Sequence, residues 1–237
     1  MQGIPEIGLV IHDLVGGNSR YIEDYLAIYK ELFPQYVRYQ PIMRQRAEKP
    51  VDESAIEKWH QWLLLVENKP VGVIGFVYNR KRNVGLLLDF AIQPEARKIQ
   101  YNGNHQLLSY LSLTLVMQEL IQDARLNGHS APLCMAAEVE YPALVRKYIE
   151  YGFVEFPIEY FEPPYTPELV EAFSAVQNFD KIGYERMHIG AFQIPDYPFD
   201  KNDTGIVKTV LLTLLEDHYH LPSDHWLAQK VFQESPA

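Results

Sequence analysis

Residues 86–105 carry the clearest signal of ligand binding in this chain. The mainly apolar residues 86–92 predict a strand, and the loop that follows contains Gly103. A long segment with apolar residues at three- and four-residue spacing comes next and predicts a helix. A strand–loop–helix junction presents unpaired backbone N–H groups and the positive end of the helix dipole at one point. The segment therefore predicts a site for an anionic ligand.

Three carboxylic acids lie in or beside predicted strands, where a side chain could take up a proton. Glu138 and Glu140 follow the apolar segment 132–137, and their two-residue spacing puts both on one side of an extended chain. Asp89 lies inside the strand of residues 86–92. A carboxylate beside a ligand cleft can act as a general base. The sequence equally allows Glu138 and Glu140 to be solvated turn charges and Asp89 to be a hydrogen-bonded carboxylate of the core.

Residues 216–225 concentrate histidines and acids, which are common metal ligands. Their spacing is not that of a known ligand signature, and a helix end followed by a helix start capped by Ser223 accounts for the same composition. Cys134 is the only cysteine, which excludes an internal disulfide and a thiolate metal site. It lies in an apolar strand and is predicted to be a buried, inert thiol. We therefore predict no metal.

The composition indicates a globular chain, because 47% hydrophobic residues in 237 are ample for a core. The formal net charge of −10 argues against nucleic-acid binding, which depends on basic side chains. It makes a cationic partner easier to attract, but an acidic surface that serves solubility alone explains the same charge. No apolar run approaches the roughly 18 residues of a membrane-spanning helix, and the first residues lack the pattern of an export signal. We therefore expect a cytoplasmic protein with no membrane partner.

Hydrophobic periodicity predicts the order of the elements. Helices are predicted at residues 19–33, 53–59 (one or two turns), 104–127, 142–151, from 166 onward, 204–218 and 223–233. Strands are predicted at residues 7–11, 62–66, 71–78, 132–137, 153–161 and 186–193, and a further strand follows the turn at residues 79–83 and ends near residue 92. Residues 36–49 are predicted to be irregular. The strands between residues 62 and 92 predict a three-stranded antiparallel meander, and a βαβ arrangement follows it.

This order of elements resembles the GNAT-type N-acetyltransferase superfamily. The resemblance rests on residues 88–97, 100–105 and 146–153 and covers about residues 7–162. It implies an α/β fold with a mixed, mostly antiparallel central sheet flanked by helices. We predict a GNAT-like domain over residues 1–194 and a C-terminal helical extension over residues 195–237. The extension could cover the domain's own sheet or pack against a second copy, which leaves a homodimer open.

The resemblance implies acetyl-CoA as the acyl donor. The backbone of Phe90, Ala91 and Ile92 would pair with the pantetheine amides like an added strand. In the family, a loop of Gln or Arg, then Gly, then a small residue binds the pyrophosphate, and Gln100, Gly103 and His105 take these places. An alternative register begins at Arg97. The predicted pyrophosphate site consists of Arg97, Gln100, Tyr101, Asn102, Gly103, Asn104 and His105.

The resemblance also implies a proton donor for the departing CoA thiolate. Tyr148 matches the family tyrosine, because it stands four residues before Gly152. A thiolate leaving group benefits from a positioned acid, and Glu138 is the candidate base for the amine. The alternative for Tyr148 is that it only packs its helix onto the sheet.

The predicted function is transfer of an acetyl group from acetyl-CoA to a primary amine, of a small molecule or a peptide, by direct attack. His105 stands where the family has a small residue. That departure supports an alternative from another class: a non-catalytic GNAT-fold module that senses CoA or binds a protein partner.

Overall fold

The computed structural model describes residues 2–4, 8–101, 106–163, 184–200 and 203–229. The strands are β1 (Gln2–Ile4), β2 (Leu9–Asp13), β3 (Glu57–Val66), β4 (Lys69–Asn79), β5 (Val84–Ile92), β6 (Gln100–Tyr101), β7 (Gln106–Leu107), β8 (Met135–Val139), β9 (Phe153–Glu155), β10 (Tyr160–Glu162) and β11 (Glu185–Phe192). The helices are α1 (Ile22–Leu32), α2 (Gln40–Glu48), α3 (Leu108–Leu126), α4 (Pro142–Ile149) and α5 (Thr204–Leu212), which a π-helical turn, Thr213–His218, continues. Contacts divide the chain into two compact units, residues 1–77 with 87–119 and residues 78–86 with 120–237.

The first unit contains a sheet in the strand order β1-β2-β3-β4-β5. β1, β2 and β3 pair antiparallel, and Glu67 and Asn68 form the tight turn from β3 to β4 with φ of 50° and 63°. Positive φ at both central residues matches the right-handed twist of the strands that the turn joins. The helices α1 and α2 share a core with β3 and β4, formed by Ile22, Tyr25, Tyr29, Met43, Ala47, Leu63, Leu65 and Val73, among others.

Two predictions for the first unit are wrong. Residues 36–49, predicted to be irregular, form a short 3₁₀ helix (Pro34–Tyr39) and α2. The hydrophobic periodicity of this segment is weak, because α2 buries only Ile42, Met43 and Ala47. Helical turns were predicted at residues 53–59, but β3 already begins at Glu57, where polar residues hid the strand pattern.

The second unit contains β8, β9, β10 and β11 together with the first residues of β5. The amide of Leu133 donates to the carbonyl of Asn83 (2.8 Å), and that of Gly85 donates to Cys134 (2.9 Å). Both bonds advance along the two segments in the same direction, as in a parallel pair. β11 runs antiparallel to β8, β9 and β10.

Residues 153–161, predicted to be one strand, form the two short strands β9 and β10. Both pair with β11, and residues 156–159 separate them. Gly190 of β11 makes the close approach of β9 possible, because a Cβ atom there would lie 2.3 Å from the carbonyl oxygen of Val154.

The predicted fold class is confirmed: the chain has a mixed, mostly antiparallel sheet flanked by helices. Among the described residues, no helix is long and apolar enough to cross a membrane. The predicted helix from residue 166 lies outside the described residues, and the boundary between residues 194 and 195 stays a prediction.

Asp217 connects the C-terminal π-helical turn to the turn between β4 and β5 through hydrogen bonds and ion pairs. Its carboxylate accepts hydrogen bonds from Arg82 Nε (2.5 Å), Lys81 Nζ (2.8 Å) and Asn79 Nδ2 (3.2 Å). Burial acts to raise the pKa of Asp217, but the hydrogen bonds and charges of Arg82 and Lys81 outweigh it and lower the pKa. The Asp217 side chain is only 4% exposed, so the ion pair is shielded from solvent.

We expect Asp217→Asn to lower the free energy of unfolding by about 3 kcal/mol at pH 7, because Arg82 would lose its buried counter-charge. A carboxylate with a lowered folded-state pKa stabilises the fold above its unfolded pKa of about 4 and loses this effect as the pH falls through the folded pKa. Urea denaturation should therefore show a smaller difference between the parent and the variant at pH 3 than at pH 7. Asp224→Asn, at an exposed position, is the control. An equal loss at both pH values would contradict the ion-pair explanation.

Candidate active site

The end of β5 holds the residues predicted to bind pantetheine. Residues 84–87 are buried, residues 88–91 are half-buried, and Ile92 is buried again. The partly exposed run includes Phe90 and Ala91. The Ile92 carbonyl accepts a hydrogen bond from Arg97 Nε (2.9 Å), so two of the predicted site residues are in direct contact.

Asp89, the second candidate base, is held by α1. Tyr29 donates its hydroxyl proton to Asp89 Oδ1 (3.1 Å). A Cβ atom on Gly75 of β4 would lie 2.8 Å from Asp89 Oδ2, so this glycine makes room for the carboxylate. These contacts favour the interpretation of Asp89 as a hydrogen-bonded structural carboxylate.

The loop after β5 differs from the prediction in one respect. Gln100 and Tyr101 form β6, which pairs with Gln106 and Leu107 of β7, so a short hairpin separates β5 from the helix. The helix α3 begins at Leu108 and not near residue 104. Two-residue strands have too little periodicity to be recognised in a sequence. The predicted site residues Asn102, Gly103, Asn104 and His105 lie outside the described residues.

Tyr148 lies near the C-terminal end of α4 and is 5% exposed. Its ring contacts Phe192 (centroids 5.1 Å apart) and Phe153 (6.0 Å). Burial, with a smaller effect of Tyr151, raises the pKa of the Tyr148 hydroxyl, which therefore keeps its proton at neutral pH. A hydroxyl that stays protonated can act as a proton donor. The ring contacts also agree with the alternative from the sequence, that Tyr148 packs its helix onto the sheet.

Glu138 lies inside β8 and is held by two tyrosines. Tyr160 donates to Oε1 (2.5 Å), and Tyr219 donates to Oε2 (2.8 Å). Burial raises the pKa of Glu138, and the two hydrogen bonds together with the charge of His218 only partly oppose this effect. Part of the residue remains accessible to solvent. A carboxylate with a raised pKa is a better proton acceptor near neutral pH than an ordinary surface glutamate.

Tyr160 and Tyr219 were missed as site residues. Tyr160 lay within a predicted strand but carried no chemical signal there. Tyr219 is 81 residues from Glu138 in the chain, and it lies in the segment 216–225 that the sequence suggested only as a helix end. No local pattern could have joined these residues, because their contact depends on how the C-terminal segment folds back within the second unit.

Glu138 and Tyr148 lie on opposite faces of the β8–β11 pair. Glu138 is directly opposite Ile189, and Tyr148 packs against Phe192. Ile189 and Phe192 are three residues apart on one strand, so their side chains point to opposite faces.

A cleft of 740 Å³ opens beside β9 and the start of β11. It is lined by Glu140, Glu155 and Glu159 and by two cationic or titratable groups, Arg186 and His188. Glu155 Oε1 lies 2.6 Å from His188 Nδ1, and Glu159 lies 3.9 Å from Arg186. Three carboxylates against one guanidinium give the cleft a negative balance, which favours a cationic ligand.

Three residues that could have carried other chemistry have structural roles. Cys134 is fully buried, and burial raises the pKa of its thiol to about 12, as expected for an inert thiol. In the segment 216–225, Glu216 and Asp217 form ion pairs with Arg82.

No protein-family model matches the sequence, and no curated protein matches it either. Among solved structures, the chain is similar to a protein from Bacteroides thetaiotaomicron assigned to the GNAT family of acetyltransferases, with 14% identity, 90% of this chain and 99% of that chain covered, and a TM-score of 0.51. A second GNAT-assigned protein, from Desulfovibrio desulfuricans, covers 78% of this chain and 99% of its own at 14% identity, with a TM-score of 0.46. The chain therefore has the fold of the GNAT-type N-acetyltransferases, and the predicted resemblance is confirmed at the level of the fold.

Proposed function

We propose that this protein is an N-acetyltransferase that moves an acetyl group from acetyl-CoA to a primary amine by direct attack. The observation that carries the proposal is Glu138, a carboxylate of β8 that is held by two tyrosine hydroxyls, within a GNAT fold. One carboxylate has a raised pKa, and one buried phenol remains protonated. These are the two proton-transfer groups that aminolysis of a thioester needs.

The acetyl-CoA site would combine two parts of the first unit. The partly exposed residues Phe90 and Ala91, followed by Ile92, offer an extended backbone for the pantetheine amides. Arg97 and the loop from Gln100 to His105 would bind the pyrophosphate. Arg97 fits this role because its Nε bond to the Ile92 carbonyl uses one of five guanidinium donors and holds the charge beside the strand. Acetyl-CoA supplies an activated acyl group.

In the proposed reaction, the reacting nitrogen is an uncharged amine, and Glu138 takes one proton from it as the nitrogen bonds to the acetyl carbon. The carbon–sulfur bond breaks, and Tyr148 donates its proton to the departing thiolate. Glu138 then releases its proton to solvent and Tyr148 takes one up, so both groups return to their starting states. The acidic cleft and the net charge of −10 support a cationic acceptor, such as an amine of a small molecule or a peptide.

We expect acetyl-CoA to raise the free energy of unfolding by about 2.7 kcal/mol at a hundred times its Kd. Arg97→Ala should weaken this effect, because the variant removes the guanidinium assigned to the pyrophosphate. Arg20→Ala, at another exposed arginine, is the matched control and should respond like the parent. Chemical denaturation with and without acetyl-CoA measures both. No stabilisation of the parent at millimolar acetyl-CoA would reject the enzyme and the CoA-sensing module together.

A further inference from the structure

The hydroxyl of Tyr219 lies between two carboxylates. It is 2.8 Å from Glu138 Oε2 and 3.3 Å from Glu162 Oε1. Tyr219 is 5% exposed, and Glu138 and Glu162 are both half-buried, so a buried hydroxyl connects two carboxylates that each keep some access to solvent. All three belong to the second compact unit, where β8, β10 and the residue after the π-helical turn meet.

Counting hydrogen atoms shows what this arrangement requires. Tyr160 gives its only hydroxyl proton to Glu138 Oε1. Tyr219 also has one proton, and ionised carboxylates only accept hydrogen bonds. Tyr219 can therefore donate one linear hydrogen bond, and the shorter contact, to Glu138, is the place for it. A second full hydrogen bond, with Glu162, forms when the Glu162 carboxyl carries a proton and donates it to the tyrosine oxygen.

We infer that Tyr219 is a proton relay between Glu138 and Glu162. In one form, protonated Glu162 donates to Tyr219, which donates to ionised Glu138. When the relay runs outward, Glu162 has first released its proton to solvent, and Glu138 has gained one. Glu138 passes its proton to the tyrosine oxygen, Tyr219 releases its own proton to Glu162, and Glu138 is ionised again. One O–H bond forms and one breaks at the tyrosine, so Tyr219 ends unchanged and one proton has moved.

The charges around the relay favour a single shared proton. Glu162 is directly opposite Glu185 on β11, and like charges in that position repel when both are ionised. His218, from the π-helical turn, acts on Glu138 by its charge, and Tyr160 of β10 binds the same carboxylate. The relay thus lets Glu138 release a proton that it has taken from an amine. This role rests on the proposed function.

The kinetic test compares Tyr219→Phe with Glu162→Gln in acetyl-CoA-dependent thiol release. We expect each variant to lower kcat about tenfold or more, with both KM values nearly unchanged, and the double variant to be no worse than either single one. Imidazole buffer at high concentration should restore much of the lost kcat, because a small base can carry the proton instead. Tyr160→Phe is the control, because it removes one hydrogen bond to Glu138 but leaves the relay from Glu138 through Tyr219 to Glu162 intact. Any decrease in kcat in this variant should not be restored by imidazole.

A second measurement does not depend on turnover. In a pH titration of the protein labelled with ¹³C at the glutamate carboxyls, the signals of Glu138 and Glu162 should both follow the same pH steps, because the pair titrates as a unit, and Tyr219→Phe should separate them. Glu138→Gln and Glu162→Gln assign the signals. Separate steps in the parent, or a Tyr219→Phe variant with parental kcat, would overturn the relay. Common steps in a protein without turnover would keep the relay and reject the proposed function.

Discussion

Glu138→Gln is expected to lower kcat for acetyl transfer by about 10²- to 10⁴-fold, the usual contribution of a general base. Glutamine keeps the shape of the side chain and can still bond to the hydroxyls of Tyr160 and Tyr219, but it takes up no proton. The pH profile of thiol release should also lose the rise in rate that ionisation of Glu138 gives the parent, at a pH above the usual range of glutamate. Glu150→Gln, on the exposed surface after α4, is the control and should behave like the parent.

The stability of Glu138→Gln separates a lost base from a misfolded protein. A carboxyl group with a raised folded-state pKa stabilises the fold below its unfolded pKa, and this contribution is lost as the pH rises through the folded pKa. Because burial raises the pKa of Glu138, the parent should lose stability relative to the glutamine variant as the pH rises above about 4. Full activity in this variant would contradict the assignment, and a loss confined to Glu140→Gln would move the base to Glu140.

Tyr148→Phe is expected to lower kcat by about 10²-fold or more, because the departing thiolate would lose its proton donor. The ring contacts with Phe153 and Phe192 remain, so the fold should be kept. The defect should shrink with an acetyl thioester of a more acidic thiol, which needs less help to leave. Tyr151→Phe, one residue before Gly152, is the matched control.

An unchanged rate in Tyr148→Phe would leave this residue with the packing role alone. A defect of the same size with every leaving group would also count against an acid, because a purely structural change would not depend on the thiol. Thermal denaturation with and without acetyl-CoA shows whether the variant still binds acetyl-CoA. If it does, the lower rate comes from loss of the acid and not from loss of acetyl-CoA binding.

The sequence predicted the parts of this fold that have strong periodicity. The regular spacing in α1 and α3 and the turn at Gly152 after α4, where φ is 89°, all left clear patterns. The helix α2 was missed because it buries few residues, and the β6–β7 hairpin was missed because each strand has only two.

The candidate site was only partly predictable, for a different reason. Glu138 and Tyr148 could be proposed because each lies in a recognisable element near a family pattern. The two hydroxyls on Glu138 come from Tyr160 and Tyr219, at separations of 22 and 81 residues. Such contacts are set by tertiary packing, and residue type alone gives no sign of them.

The most direct test of the account is thiol release from acetyl-CoA by the purified parent protein with a panel of primary amines, with the acetylated amine identified by mass spectrometry. The proposed function predicts amine-dependent release, with one acetylated amine formed for each thiol, and loss of both signals in Glu138→Gln. Stabilisation by acetyl-CoA without thiol release for any amine would contradict the proposed transfer and would favour a CoA-sensing module.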